Sequence, residues 1–327
     1  VTAGARGAGV TELIERILGD PRDSQMSPPR HRFALGRVQP AVADASRGLV
    51  DEAGDRQRDV LIEPVGHRLL ISGPSGAGKS TLTNTLLEQL AAQRYQFCLI
   101  DPEGDYETFE RGIRIGTTRA APAVDEIMAA LKRPDQNVII SLAGVGKADR
   151  PAFFATLLPR VQALRIEFGR PHWLVIDEAH HVLPADWQHA GTLIPQAWSS
   201  LAMVTLEPDL VSPLARRDVG LVIAVGQVLP ELASLLAERG VRADTSALDT
   251  GVARMWQLPG GDAVTFEVRT PDEQHRRHKR KYVEGALSPE AQFVFSGADG
   301  RLRLAARNLS EFVRLAEGVD DETWAFH

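Results

Sequence analysis

Apolar residues along this chain fall into two kinds of pattern, and they alternate. Short unbroken runs, such as Arg68-Leu69-Leu70-Ile71-Ser72, Trp173-Leu174-Val175-Ile176 and Val219–Val225, are the pattern of strands buried on both faces. Between them lie longer stretches with apolar residues spaced by three and four. Thr81, Leu82, Leu86, Leu87 and Leu90 fall on one side of a predicted helix over Ser80 to Arg94, the spacing of an amphipathic helix. Tyr95 to Asp101, Asn137–Leu142, His172–Ile176 and Leu201–Leu206 read as further strands. Val124–Arg133 and Glu231–Arg239 read as helices. Another helix starts at Asp149 with Pro151 in its first turn, and runs through Leu157, Val161, Leu164 and Phe168 to Gly169, a proline-in, glycine-out pair of boundaries. Alternating strands and helices predict an α/β core with a mostly parallel sheet over residues 67–270.

The flanks read differently. Residues 1–30 combine a short amphipathic helix, Val10 to Leu18, with a linker rich in proline, serine and charge, Asp20 to Arg30. Residues 31–66 form a small β element from the runs Phe33–Val38 and Asp59–Glu63, closed by a turn at Pro64 and Gly66. Residues 252–258 and 262–270 suggest a hairpin around Gly260-Gly261. Residues 271–327 predict a second hairpin, Gln292–Phe295 and Leu302–Ala305 around Gly297-Ala298-Asp299-Gly300. A last helix follows from Leu309 to Glu317, capped by Asn308. The start at Val1 and the end at Phe326-His327 leave open that the chain is part of a longer protein.

Composition narrows the classes. The formal net charge of -6 argues against a surface coated for nucleic acid, though not against a local basic groove. A single cysteine, Cys98 in an apolar run, removes any disulfide framework or cysteine metal site within one chain. A reducing cytoplasm is the simplest compartment. No apolar run approaches a membrane span, and no signal-peptide pattern opens the chain.

The chemistry gathers first at Gly73-Pro74-Ser75-Gly76-Ala77-Gly78-Lys79-Ser80-Thr81. These residues fit Gly-x-x-x-x-Gly-Lys-(Ser/Thr), with a strand before them and a helix after them, the setting of a phosphate-binding loop. Backbone N–H groups and the positive end of a helix favour an anion there. Gly73, Gly76 and Gly78 allow angles and close approach that a Cβ hinders. Lys79 is the candidate for the β- and γ-phosphates, and the Ser80 hydroxyl for Mg2+. A second centre lies at Val175-Ile176-Asp177-Glu178-Ala179-His180-His181. An apolar strand ending in Asp-Glu is a Walker B arrangement: Asp177 as a Mg2+ ligand and Glu178 as general base toward water. No Asn-Lys-x-Asp guanine signature occurs, which favours ATP over GTP.

Together, Gly73–Thr81, Leu99-Ile100-Asp101-Pro102-Glu103-Gly104-Asp105-Tyr106 and Val175-Ile176-Asp177-Glu178-Ala179-His180 resemble the HerA/FtsK ATPases, a family that includes HerA helicases and the ATPases of conjugation and secretion systems. The likeness covers roughly residues 60–230. It implies a RecA-like P-loop core, ATP and Mg2+, and often a hexameric ring working on DNA or protein. It also makes Asp101, Glu103 and Asp105 candidates for binding nucleotide or transmitting its state; as residues alone, they read equally as loop solvation and a cap. The family's strand after Walker B usually ends Thr-Gln-x-Pro, with glutamine sensing the γ-phosphate. Here the run is Val204-Thr205-Leu206-Glu207-Pro208, and leucine cannot hydrogen-bond a phosphate oxygen or water. Thr205 or another residue substitutes, or hydrolysis is slow; Gln227 after the next strand is a further candidate. Arg216 and Arg217 are candidates for a trans-acting arginine. Separately, Gly4-Ala5-Arg6-Gly7-Ala8-Gly9-Val10 into Leu13-Ile14 resembles the C-terminal end of haloacid-dehalogenase-type phosphatases, without that family's catalytic aspartate motifs.

His180 and His181 sit beside carboxylates, but Mg2+ prefers oxygen ligands, so a structural or relay role fits His180 better than a transition metal. The basic run His275-Arg276-Arg277-His278-Lys279-Arg280-Lys281 reads as a solvated linker rather than a phosphate-binding stripe. Two functions remain open: an ATPase, with DNA translocation as its special case, and an ATP-binding regulatory module that turns over rarely.

Overall fold

The computed structural model describes residues 32–38, 59–187 and 200–271, and the strand backbones at 293–296 and 303–306. The predicted N-terminal helix, the basic run 275–281 and the helix after Asn308 lie outside the described residues.

One eleven-stranded sheet organises the chain. Its strands are β1 (Phe33–Val38), β2 (Asp59–Ile62), β3 (Arg68–Ser72), β4 (Phe97–Asp101), β5 (Ile113–Ile115), β6 (Val138–Ser141), β7 (Trp173–Ile176), β8 (Leu201–Thr205), β9 (Leu221–Val225), β10 (Val252–Gln257) and β11 (Val264–Val268). They run in the order β2-β1-β11-β10-β9-β3-β8-β7-β4-β6-β5. From β9 to β5 every pairing is parallel. From β9 outward through β10, β11, β1 and β2 every pairing is antiparallel. The fold is therefore α/β with a large, mostly parallel sheet. A separate hairpin pairs β12 (Phe293–Ser296) with β13 (Arg303–Ala306).

Helices cover both faces. Helix α1 (Lys79–Ala92) follows β3; α2 (Val124–Leu131), α3 (Arg150–Phe168), α4 (Pro213–Arg216) and α5 (Pro230–Glu238) are the other α-helices among the described residues. Leu82, Leu86 and Leu90 of α1 pack with Leu69, Ile71, Leu99 and Val175 on one face. Phe154, Leu157 and Val161 of α3, with Leu232 and Leu236 of α5, pack against Leu70, Ile100 and Ile176 on the other. With two covered faces, adjacent strand residues both bury, so β3, β4, β7, β8 and β9 are buried throughout. That is why their sequences are unbroken apolar runs rather than alternating ones. Gly169 ends α3 in a left-handed conformation at φ 69°, its N–H donated to the Arg165 carbonyl.

The short strands β1 and β2 do not stand apart. β1 pairs with β11, so residues 33–38 extend the same sheet. Gly36 makes this approach possible, since a Cβ there would lie 2.0 Å from the Glu267 carbonyl oxygen.

Candidate functional site

The carboxyl ends of the parallel strands define one edge of the sheet, where ligands of open α/β folds bind. Strand register sets the order of residues along it. Ser72 of β3 lies opposite Thr205 of β8, and Met203 of β8 opposite Ile176 of β7. The residues that follow, Gly73 after β3 and Asp177-Glu178 after β7, therefore emerge at the same edge, with β7 ending two residues short of β3 along the strand direction. They are separated by β8, two strand spacings or about 10 Å across the sheet. A phosphate chain with a hydrated cation has that reach.

After β3 the chain turns sharply into α1. Its N-cap is Gly78, at φ 110° and without a side-chain cap, and the first turn holds no acidic residue. The positive end of this fourteen-residue helix is thus not neutralised by its own sequence. The loop rests on the neighbouring strands. A Cβ on Gly73 would lie 2.2 Å from the Val225 carbonyl oxygen. The Ala77 carbonyl accepts the Gly251 N–H at 3.3 Å, and a Cβ on Gly226 would meet Ala77 Cβ at 2.7 Å. The loop is held on one side by β9 and the start of β10, while Ser75 and Gly76 at its tip are exposed. Lys79 is buried, and its Nζ donates to the Gly73 carbonyl at 2.8 Å and the Pro74 carbonyl at 3.0 Å. The ammonium thus closes over the loop's own carbonyls, at the place where phosphate oxygens would compete for it. Pro74, Ala77, Ser80 and Thr81 complete this turn, with Ser80 and Thr81 half-buried in the first turn of α1.

At the end of β7, Asp177 and Glu178 are both buried. Glu178 has φ 40° and ψ 55°, a left-handed conformation that costs a non-glycine residue roughly 1–2 kcal/mol. A short turn, Ala179–His181, follows. His180 Nδ1 lies 3.0 Å from Thr205 Oγ1 and 3.8 Å from Glu178 Oε2, and its Nε2 lies 3.4 Å from Glu207 Oε2. The His180 and His181 rings are 4.1 Å apart, and His181 Nε2 pairs with Glu103 Oε1 at 3.3 Å. A polar chain thus joins the ends of β4, β7 and β8. Its members were visible in the sequence only as separate residues.

Three candidates take on definite structural work. Asp101 is fully buried, and its carboxylate accepts N–H groups from Gly104 at 2.8 Å, Asp105 at 3.0 Å and Tyr106 at 3.1 Å. It folds the loop after β4. Glu103 joins the polar chain through His181, and Asp105 enters through its backbone N–H. The Arg150 guanidinium, buried at the start of α3, has its pKa lowered by burial, offset by the negative charges of Glu103 and Asp101.

Leu206 is half-buried beyond the end of β8, while Thr205 inside the strand makes the contact with His180. Gln227 is exposed beyond β9. Arg216 and Arg217 precede β9, so they lie at the amino-terminal end of the strands, away from the loop. Arg216 Nε donates to the Val211 carbonyl at 2.8 Å and Arg217 pairs with Asp218 at 3.6 Å.

Comparison with known proteins shows what this chain is similar to. The model of a family described as an AAA ATPase domain matches residues 59–205, from β2 to the end of β8. Comparison with curated proteins gives no match. Among solved structures, the chain is similar to the genome packaging NTPase B204 from Sulfolobus turreted icosahedral virus 2 in complex with ATP-gammaS. That likeness has 16% identity and TM-score 0.48, covering 62% of this chain and 98% of that one. It is also similar to VirB4 of Thermoanaerobacter pseudethanolicus, at 12% identity and TM-score 0.47, covering 69% of this chain and 98% of that chain. A third likeness is to the cytoplasmic domain of the Thermomonospora curvata Type VII secretion ATPase EccC, at 12% identity and TM-score 0.45, covering 75% and 27%. Over residues 59–205 the chain is similar to an AAA ATPase domain.

Proposed function

We propose that this chain binds ATP at Gly73–Thr81 and hydrolyses it with Mg2+. The observation that carries the reading is that the glycine loop and the Asp177-Glu178 pair emerge at one sheet edge on either side of β8, within two residues of each other along the strands. In this reading Lys79 exchanges the Gly73 and Pro74 carbonyls for phosphate oxygens. The uncapped start of α1 supplies further N–H donors. The donor set suits Mg2+: a hydroxyl from Ser80 and a carboxylate from Asp177 are hard oxygen ligands. Bound there, the ion neutralises phosphate charge. Glu178 orients and deprotonates water, the usual work of a general base, and its loss costs about 100- to 10,000-fold in turnover.

Lys79→Ala should abolish ATP binding in a direct assay. Glu178→Gln should retain binding and lose turnover. Unchanged affinity in Lys79→Ala would show that the nucleotide sits elsewhere.

One observation favours a second reading, an ATP sensor with little turnover: Leu206 stands at the position of the family's glutamine. ATP binding without phosphate release would select it. The ring and DNA expectations belong to the first reading. DNA-stimulated turnover, with a ring by light scattering, would support a motor; a monomer indifferent to DNA would leave an ATPase serving another partner. The net charge of -6 gives DNA no electrostatic support. Among the described residues no helix is long and apolar enough to cross a membrane, and the cytoplasm is the proposed compartment. The N-terminal likeness to a haloacid-dehalogenase phosphatase, with any fusion it implies, stays a proposal about residues before β1.

A further inference from the structure

We infer that Thr205 and His180 form a positioning pair for Glu178, with the threonine hydroxyl holding the histidine ring so that the ring does not take the glutamate as its partner. The inference rests on the ATPase reading above and names the residues that serve its base where Leu206 offers no polar group.

The argument turns on one ring nitrogen. His180 Nδ1 faces two oxygens: Thr205 Oγ1 at hydrogen-bond distance, 3.0 Å, and Glu178 Oε2 at 3.8 Å. Thr205 Oγ1 already accepts the Glu207 N–H at 3.0 Å. That bond uses one lone pair of the oxygen and leaves the hydroxyl proton available to Nδ1. Nε2 faces Glu207 Oε2 at 3.4 Å, and a carboxylate only accepts, so the inferred arrangement puts the ring proton on Nε2 and lets Nδ1 accept from Thr205. In this tautomer Nδ1 has no proton to give, so His180 cannot tie up the Glu178 carboxylate. Without the hydroxyl, Nδ1 is able to carry a proton and donate it to Glu178, drawing the base away from water.

The pair is also connected to the nucleotide loop. Thr205 lies in register with Ser72, the residue before Gly73. A shift of the loop strand on nucleotide binding would be carried to Thr205 through that strand pairing. On the other side, the His180 ring lies against that of His181, tilted by 47° at 4.1 Å between centroids, and Glu103 holds His181. The ring is braced from three strand ends, as a positioning group requires.

The test is steady-state turnover with saturating MgATP for the wild type, Thr205→Val, Thr205→Ser, His180→Ala and the Thr205→Val/His180→Ala double variant, with Glu178→Gln as baseline. Thr205→Val should lower kcat roughly 10- to 100-fold and leave KM within about twofold, because ground-state binding is untouched. Thr205→Ser should restore turnover. The double variant should be no slower than His180→Ala alone, since the threonine acts only through the ring. Nitrogen-15 NMR of the His180 ring without nucleotide reads the geometry independently: the wild type should carry its proton on Nε2 and Thr205→Val should change the ring signals. Intact kcat in Thr205→Val, multiplicative losses in the double variant, or a proton on Nδ1 in the wild type would each overturn the inference. Those results leave the ATPase reading standing. A wild type without turnover that Glu178→Gln removes would overturn the ATPase reading and the inference with it.

Discussion

His172 shows how burial at a single residue sets a pH dependence. Its Nδ1 accepts the Gln96 N–H at 2.9 Å, so that nitrogen is unprotonated in the fold, and its ring meets Tyr95 edge-on at 5.3 Å between centroids. Burial chiefly, then the charges of Arg170 and Arg165, lower its pKa from the ordinary 6.5. Burial lowers that of His67 in the same direction, partly offset by Glu63. The unfolded chain takes up protons near pH 6.5 while the fold resists them, so the unfolded state binds more protons in that range. Stability is then fully present above pH 6.5 and is lost as pH falls below it toward the folded pKa values. His172→Asn keeps an acceptor for Gln96 but does not titrate. Urea unfolding at pH 7 and pH 5 should give a smaller loss of stability on acidification in this variant than in the wild type. Equal losses in the two proteins would remove His172 from the account.

The helix after the loop is also the clamp on the outer strands. Gln89 of α1 treats Ala34 of β1 as a neighbouring strand would: its Oε1 accepts the Ala34 N–H at 2.7 Å and its Nε2 donates to the Ala34 carbonyl at 2.5 Å. Gln93 Nε2 donates to the Arg32 carbonyl at 3.1 Å, and Thr85 Oγ1 to the Arg269 carbonyl at 2.6 Å beyond β11. Gln89→Ala leaves both Ala34 groups without this partner and should cost about 1–3 kcal/mol. Hydrogen exchange should quicken across Phe33–Val38 while β7 keeps its protection; uniform quickening would mean that the contact serves global stability instead. The sequence made the elements legible where one physical signal dominates. Strands buried on both faces became apolar runs, α1 showed the leucine spacing of an amphipathic helix, and α3 carried its own boundary residues. It did not reveal what joins distant elements. The pairing of β1 with β11 depends on Gly36 meeting Glu267, and no local pattern encodes that contact. The three-residue strand β5, with Ile113 and Arg114 exposed, was too short and too polar to register. At the candidate site, the glycine loop and Asp177-Glu178 were readable because their chemistry is contiguous in the chain. The bond between His180 and Thr205, and the strained angles of Glu178, arise only when strand ends meet.

At the scale of the whole molecule, the loop is a junction between the two halves of the sheet. Its strand β3 lies between β8 and β9, and its backbone leans on Val225 and Gly251, where the parallel part passes into the antiparallel one. A ligand that fixes the loop should therefore stabilise both halves as one unit. ATP with Mg2+ at about a hundred times its Kd adds about 2.7 kcal/mol to the unfolding free energy by mass action alone. For a domain of this size, that corresponds to a rise of about 5–10 °C in Tm. Thermal unfolding followed with ATP should show this rise for the wild type and for Glu178→Gln, whose loop is intact, and none for Lys79→Ala. Hydrogen exchange in the same samples should gain protection at β9 and β10 as well as in α1. Protection confined to α1 would mean that the contacts at Val225 and Gly251 do not carry the effect across the sheet. A Tm rise of equal size in Lys79→Ala would mean that ATP stabilises the fold from a different site, and the Gly73–Thr81 assignment would fall.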